Sequence, residues 1–165
     1  MPKNAATPGN PHLVFVYGTL LKGYGNHKNY LDKEPLHSNV EAVGRMLSLG
    51  GFPGVVDFEL ADSVVHGEIY EVDDATLHGL DSLEGYRGKG NPGNFYDRIS
   101  IECTIIDKET GTETSISPVY TYQLSARYGT TMKNNVIDHG SWRQYTKERE
   151  NEWSRYRTAS GYSQA

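Results

Sequence analysis

Two places in this 165-residue chain carry residues whose type and spacing can do chemistry. The first is Tyr17-Gly18-Thr19-Leu20, where the apolar run Leu13 to Val16 meets a glycine turn. That run has the β-branched and aromatic make-up of a buried strand, and Gly18 lets the chain turn where a Cβ would clash. Consecutive backbone N–H groups freed by such a turn form a pocket for a carboxylate or a phosphate. The same tetrapeptide also reads as a strand-ending turn with no ligand. The second place is Glu84. Between Val72 and Tyr86, Asp73 or Asp74 can cap a short helix and Gly85 can end it. Leu77 and Leu80 mark the buried stripe of that helix, and Glu84 follows them by seven and four residues. Seven residues drift by only ~20°, so the carboxylate is aimed along the apolar side. Asp74 and Asp81 fall elsewhere on the wheel, which singles out one carboxylate among 21 acidic residues. Burial there would raise its pKa towards neutrality and fit it to exchange protons near pH 7. The alternative is a helix that frays at Leu83, with Glu84 capping it or pairing with Arg87.

Two phosphate motifs fail. Gly18 and Gly23 have the P-loop spacing, but Tyr24 stands where lysine is required. Gly88-Lys89-Gly90-Asn91-Pro92-Gly93 matches a dinucleotide fingerprint in letters only, since no strand precedes it and Pro92 interrupts the helix that should follow. It reads as a loop.

The elements that must hold these residues are mostly strands. Eighteen glycines and 12 tyrosines indicate short strands joined by many turns. The pattern predicts strands at Leu13–Tyr17, Val40–Leu49, Val64–Val72, Tyr96–Ile106 and Ser115–Leu124. In the fourth, Ile99, Ile101, Cys103 and Ile105 share one face, so Cys103 is expected to be a buried structural thiol. Asp107 to Thr114 reads as a hairpin loop around Gly111, making the last two strands antiparallel partners. Helices are expected at Asn26–Leu31, Asp74–Leu83 and Trp142–Tyr156, the last with mixed charges typical of a solvated face. Met1 to Pro11 is read as a flexible leader and Thr158 to Ala165 as a flexible tail, leaving one domain over residues 12–157.

A net charge of −5 without strong Lys or Arg clusters argues against nucleic acid as partner. No run approaches the ~20 apolar residues of a membrane span, and the first residues lack the build of a signal peptide. With a single cysteine, these features favour a cytoplasmic location. The six histidines show no metal-ligand spacing with Cys103, so no metal site is expected.

Tyr17-Gly18-Thr19-Leu20, Gly25-Asn26-His27 and Leu80-Asp81-Ser82-Leu83-Glu84-Gly85-Tyr86 resemble, in order and spacing, the γ-glutamylcyclotransferase-like superfamily. The likeness is greatest to its AIG2-like and γ-glutamylamine cyclotransferase branches. It extends through Gly51-Phe52-Pro53-Gly54, Val65 to Val72, Tyr96-Asp97-Arg98, Val119 to Tyr122 and Ile137 to Arg143. The resemblance implies an α+β fold, a small mixed and mainly antiparallel β-barrel flanked by short helices. It implies that Tyr17, Gly18, Thr19 and Leu20 hold the α-carboxylate of a γ-glutamyl group, and that Glu84 is the acid/base residue. The implied reaction is attack of the substrate's α-amine on its own γ-carbonyl, releasing 5-oxoproline and an amine without metal or cofactor.

By the same likeness Tyr122 lines the cavity with its hydroxyl, although it also reads as half of a cross-strand aromatic pair. Asn26 and His27 are expected to brace the first helix rather than touch substrate. Arg98 is expected to support the site or to pair with an acid. The Gly88–Asn94 loop and the polar stretch after Arg143 depart from compact relatives and bear on which amine fits. The expected partner is a small γ-glutamyl substrate, and the expected state a monomer. Two other functions remain open at this point: a non-catalytic binder of small anions on the same fold, and a biosynthetic enzyme removing a γ-glutamyl protecting group.

Overall fold

The computed structural model describes residues 11–131 and 135–159. In chain order the elements are β1 (His12–Val16), α1 (Gly25–Tyr30), β2 (His37–Val43), β3 (Arg45–Ser48), β4 (Pro53–Val56) and β5 (Val64–Val72). There follow α2 (Asp74–Glu84), β6 (Tyr96–Ile106), β7 (Glu113–Leu124), α3 (Ala126–Thr131), β8 (Val136–Ile137) and α4 (Trp142–Ala159). The expected leader lies outside the described residues except for Pro11, and so does the expected tail beyond Ala159.

Five strands close into a barrel in the order β1-β5-β2-β6-β7. Four of the contacts are antiparallel; the fifth, Val14 against Tyr120, is parallel and closes the ring. This is the small mixed, mainly antiparallel barrel with short helices that the sequence implied. Val14, Val40, Val65, Ile69, Tyr70 and Val119 are fully buried and form much of its core. Cys103 is buried too, as the alternation predicts, and loss of water around it pushes its thiol up to about 12.

The strand expected over Val40–Leu49 is in fact two strands in two sheets. β2 belongs to the barrel, whereas β3 lies between β4 and β8 in a separate three-stranded sheet. The break is Gly44, where an added Cβ would lie 2.8 Å from Val55 Cγ1. Its N–H donates to Ser63 O and its carbonyl accepts from Ser63 Oγ, so the turn is held by the segment just before β5. This second sheet matters to the site because it places Pro53, at the start of β4, against the turn that follows β1.

Candidate active site

The turn after β1 is shaped by contacts on both sides. A Cβ on Gly18 would lie 2.7 Å from Pro53 Cγ, so glycine is required here by the proline ring. Leu21 N–H donates to Gly18 O, and Asn26 ties the turn to α1 through bonds to Thr19 O at 3.2 Å and Thr19 Oγ1 at 2.8 Å. The N–H groups of Gly18, Thr19 and Leu20 donate to no acceptor among the described residues. Three successive unpaired donors form a concave positive patch suited to a carboxylate or an oxyanion.

Glu84 is brought to the same place by α2. Asp73 Oδ1 accepts from Thr76 N–H at 2.8 Å and caps the start of this helix. Gly85 ends it in the left-handed conformation at φ 69°, a conformation that favours glycine. The helix therefore continues through Glu84 rather than fraying at Leu83. Glu84 is half-buried, and no hydrogen bond or ion pair reaches its carboxylate among the described residues, Arg87 included. Desolvation alone pushes its carboxyl up to about 7.

Between the turn and Glu84 lies a cavity of about 400 Å³, lined by Tyr17, Gly18, Thr19, Leu20, Glu84 and Tyr122 among others. Thus the sequence-predicted residues converge on one cavity. Two of the tyrosines have their hydroxyls committed: Tyr17 donates to Tyr122 O at 2.7 Å, and Tyr122 donates to Asp81 Oδ1 at 2.6 Å. Burial raises the pKa of both above the ordinary tyrosine value, so they remain protonated donors. Tyr122 is not half of an aromatic pair, because Arg98 stands opposite it in the ladder.

Arg98 both pairs with an acid and supports the cavity wall. Its Nη1 lies 2.6 Å from Asp81 Oδ2, while Tyr122 holds the other oxygen. Asp81, on the same helix as Glu84, thus has both oxygens occupied, a role its place on the helical wheel does not show. Asn26 lines the cavity as well as bracing the turn, whereas His27 only braces, through Nε2 and Lys33 O at 2.9 Å.

One buried acid went unnoticed in the sequence. Glu68 of β5 is only 6 % exposed and meets Lys22 N–H at 3.0 Å, the Tyr70 hydroxyl at 2.8 Å and Arg143 Nη2 at 2.9 Å. Arg143 of α4 also donates to Lys22 O at 2.6 Å, so the acid and the base clamp the far end of the Tyr17–Gly25 segment. Apart from Tyr70 on the same strand, the partners of Glu68 lie 46 and 75 residues away in the chain, which leaves little local signal.

The Gly88–Asn94 loop does not line the cavity. It is fastened by Asn94, which accepts from Arg87 N–H and donates to Gly88 O and Asp97 Oδ1. Among the described residues no three His, Cys, Asp or Glu side chains group as metal ligands, and no helix is long and apolar enough to cross a membrane.

A barrel with one protonatable carboxylate facing a turn of unpaired amides has relatives. Residues 14–144 match the family model for γ-glutamyl cyclotransferase, AIG2-like proteins, and the chain belongs to that family. The γ-L-glutamyl-butirosin B γ-glutamyl cyclotransferase of Niallia circulans is 38 % identical over 108 residues, 65 % of this chain and 65 % of that protein. The chain thus spans just under two thirds of that relative's length. A relative from Vibrio cholerae is 36 % identical over 79 % of this chain and 95 % of its own length. The γ-glutamylaminecyclotransferase of Rattus norvegicus is 33 % identical over 58 % of this chain and 66 % of its own length. Among solved structures, a mouse AIG2-like protein superposes with a TM-score of 0.57 at 26 % identity, covering 81 % of this chain and 88 % of that one.

Proposed function

We propose that the protein is a γ-glutamyl cyclotransferase that releases 5-oxoproline and a free amine from a γ-glutamylamine or γ-glutamyl peptide, with Glu84 as acid and base. The observation that carries this reading is the unpaired Glu84 carboxyl, raised to about 7, across one cavity from the open amides of Gly18, Thr19 and Leu20. The amides receive the α-carboxylate and hold the substrate folded. Ring closure is intramolecular, so this positioning supplies several kcal/mol by proximity.

Glu84 takes a proton from the α-ammonium, and the freed nitrogen attacks the γ-carbonyl carbon. The new N–C bond forms as the carbonyl becomes an oxyanion. Protonated Glu84 then donates to the departing nitrogen, the C–N bond to the amine breaks, and the carbonyl re-forms. The second proton shed by the ring nitrogen follows the same route, so the amine departs as ammonium and Glu84 is restored. Asp81 has no part in proton transfer, since Arg98 and Tyr122 occupy both of its oxygens.

Similarity to the butirosin-directed enzyme favours one variant of this reading, in which the wanted product is the amine and the γ-glutamyl group serves as a protecting group. The test is mass-spectrometric detection of 5-oxoproline from a panel of γ-glutamyl amines, γ-glutamyl amino acids and glutathione, with wild type and Glu84→Gln. Release by wild type alone is expected. Equal release by Glu84→Gln removes Glu84 from the mechanism, and no release together with recovery of intact bound ligand makes the protein a binder.

A further inference from the structure

The cavity is larger than the two groups that define its chemistry, and apart from Asn26 the remainder of its wall is mainly apolar or aromatic. Phe52, Pro53, Leu83, Phe95 and Tyr96 make up much of it. Phe52 and Phe95 have ring centroids 6.1 Å apart, and Phe95 packs on Tyr96 at 5.0 Å and on Tyr128 at 4.4 Å. Phe52 remains 38 % exposed, an apolar ring left uncovered at the rim.

This ledge is held in place. Phe95 N–H donates to Gly85 O and Phe95 O accepts from Ser125 N–H, so its backbone is fixed to the end of α2 and the start of α3. The preceding Asn94, buried with three side-chain hydrogen bonds, closes the Gly88–Asn94 loop directly before it. The loop thereby positions an aromatic wall without entering the cavity.

The charge around this ledge excludes much. No Lys, Arg or His lines the cavity among the described residues, and Glu84 is the single acid that does. Arg98 is committed to Asp81, and Arg127 lies over Tyr128 outside the lining. A carboxylate on the amine side of the scissile bond would therefore be desolvated with no cation to meet it. A distal ammonium would find no acid other than the one needed for proton transfer.

From these observations, and resting on the cyclotransferase reading, we propose that Phe52 and Phe95 form a subsite for the departing amine that selects uncharged apolar amines, aryl in preference to small alkyl. An aryl ring packs edge-on or offset against the two phenylalanines, where it gains contact area that a methyl or ethyl group cannot. Glycine or a dipeptide in the same place gains little and loses the hydration of its carboxylate.

The experiment compares kcat/KM for γ-glutamyl phenethylamide, γ-glutamyl ethylamide, γ-glutamylglycine and the mono-γ-glutamyl conjugate of 1,4-diaminobutane. The phenethylamide is expected to lead γ-glutamylglycine and the diamine conjugate by at least about tenfold, mainly through KM. Phe52→Ala should lower the phenethylamide-to-ethylamide ratio, and Phe52→Arg should narrow the gap to γ-glutamylglycine. Equal or better turnover of γ-glutamylglycine or the diamine conjugate overturns the subsite while leaving cyclotransferase activity in place. If no conjugate releases 5-oxoproline, calorimetry with Glu84→Gln decides separately. Tighter binding of the phenethylamide than of γ-glutamylglycine there upholds the subsite without the reaction; the reverse order overturns it.

Discussion

Glu68 and Glu84 are both withdrawn from water, and the protein treats them in opposite ways. Glu68 is met by three donors, the Tyr70 hydroxyl on its own strand, the Lys22 backbone N–H and the Arg143 guanidinium. Glu84 receives none from the described residues, and its carboxyl holds its proton up to about pH 7. A satisfied acid fixes structure, here the segment after the Tyr17–Leu20 turn. An unsatisfied one is costly to the fold and is retained where its proton can be used. The contrast separates clamp from candidate catalyst without reference to any relative.

The largest effect that sharpens this contrast is on turnover. Glu84→Gln keeps the shape and removes the proton acceptor, and should lower kcat by roughly 10²–10⁴, the usual share of general acid–base catalysis. Folding of this variant, followed by circular dichroism, should be intact. Glu68→Ala should do the reverse in kind. Loss of one partner from a buried ion pair costs about 3 kcal/mol here, at the low end because the Arg143 side chain is 47 % exposed. Urea denaturation should show it, and a raised KM should accompany it as the turn loosens.

A third prediction concerns pH. Glu84 has a folded pKa near 7 against an ordinary 4.5, so the native state binds more protons than the unfolded chain between those values. Stability should therefore fall as pH rises from 4.5 to 7 and level off above, by about 2 kcal/mol after allowing for partial exposure. In Glu84→Gln this decline should vanish, making the variant more stable than wild type at pH 8 and about equal near pH 4.5. Thermal melts across that range read it directly. The smallest effect expected is from Arg98→Met, which leaves Asp81 negatively charged on the helix that carries Glu84. The acid limb of the rate profile should move up by roughly half a pH unit.

What was legible in the sequence follows the range of the forces involved. Strands β5 and β6 lie at the predicted residues because their alternation and flanking turns are local. The capped helix that aims Glu84 was equally readable, since Asp73 and Gly85 act within a few residues of the chain. The division of β2 from β3 was not, because Val40 to Leu49 reads locally as one strand-like stretch and it is the contacts with Val55 and Ser63 that show Gly44 must turn. Strands β4 and β8 are too short to carry a period, and α3 buries none of its residues. Glu68 and Asp81 acquire their roles mainly through partners distant in the chain. Asp97, Arg98 and Tyr122 were visible as a motif, whereas the bonds that join Arg98 and Tyr122 to Asp81 belong to the folded barrel.

The most direct test of the central claim is the pH dependence of kcat/KM for the best γ-glutamyl substrate. With Glu84 as the base, the rate should rise tenfold per unit up to a bend near pH 7, and Glu84→Gln should lose that limb along with most of its activity. A rate independent of pH between 5 and 8, or an unchanged limb in Glu84→Gln, would contradict the assignment.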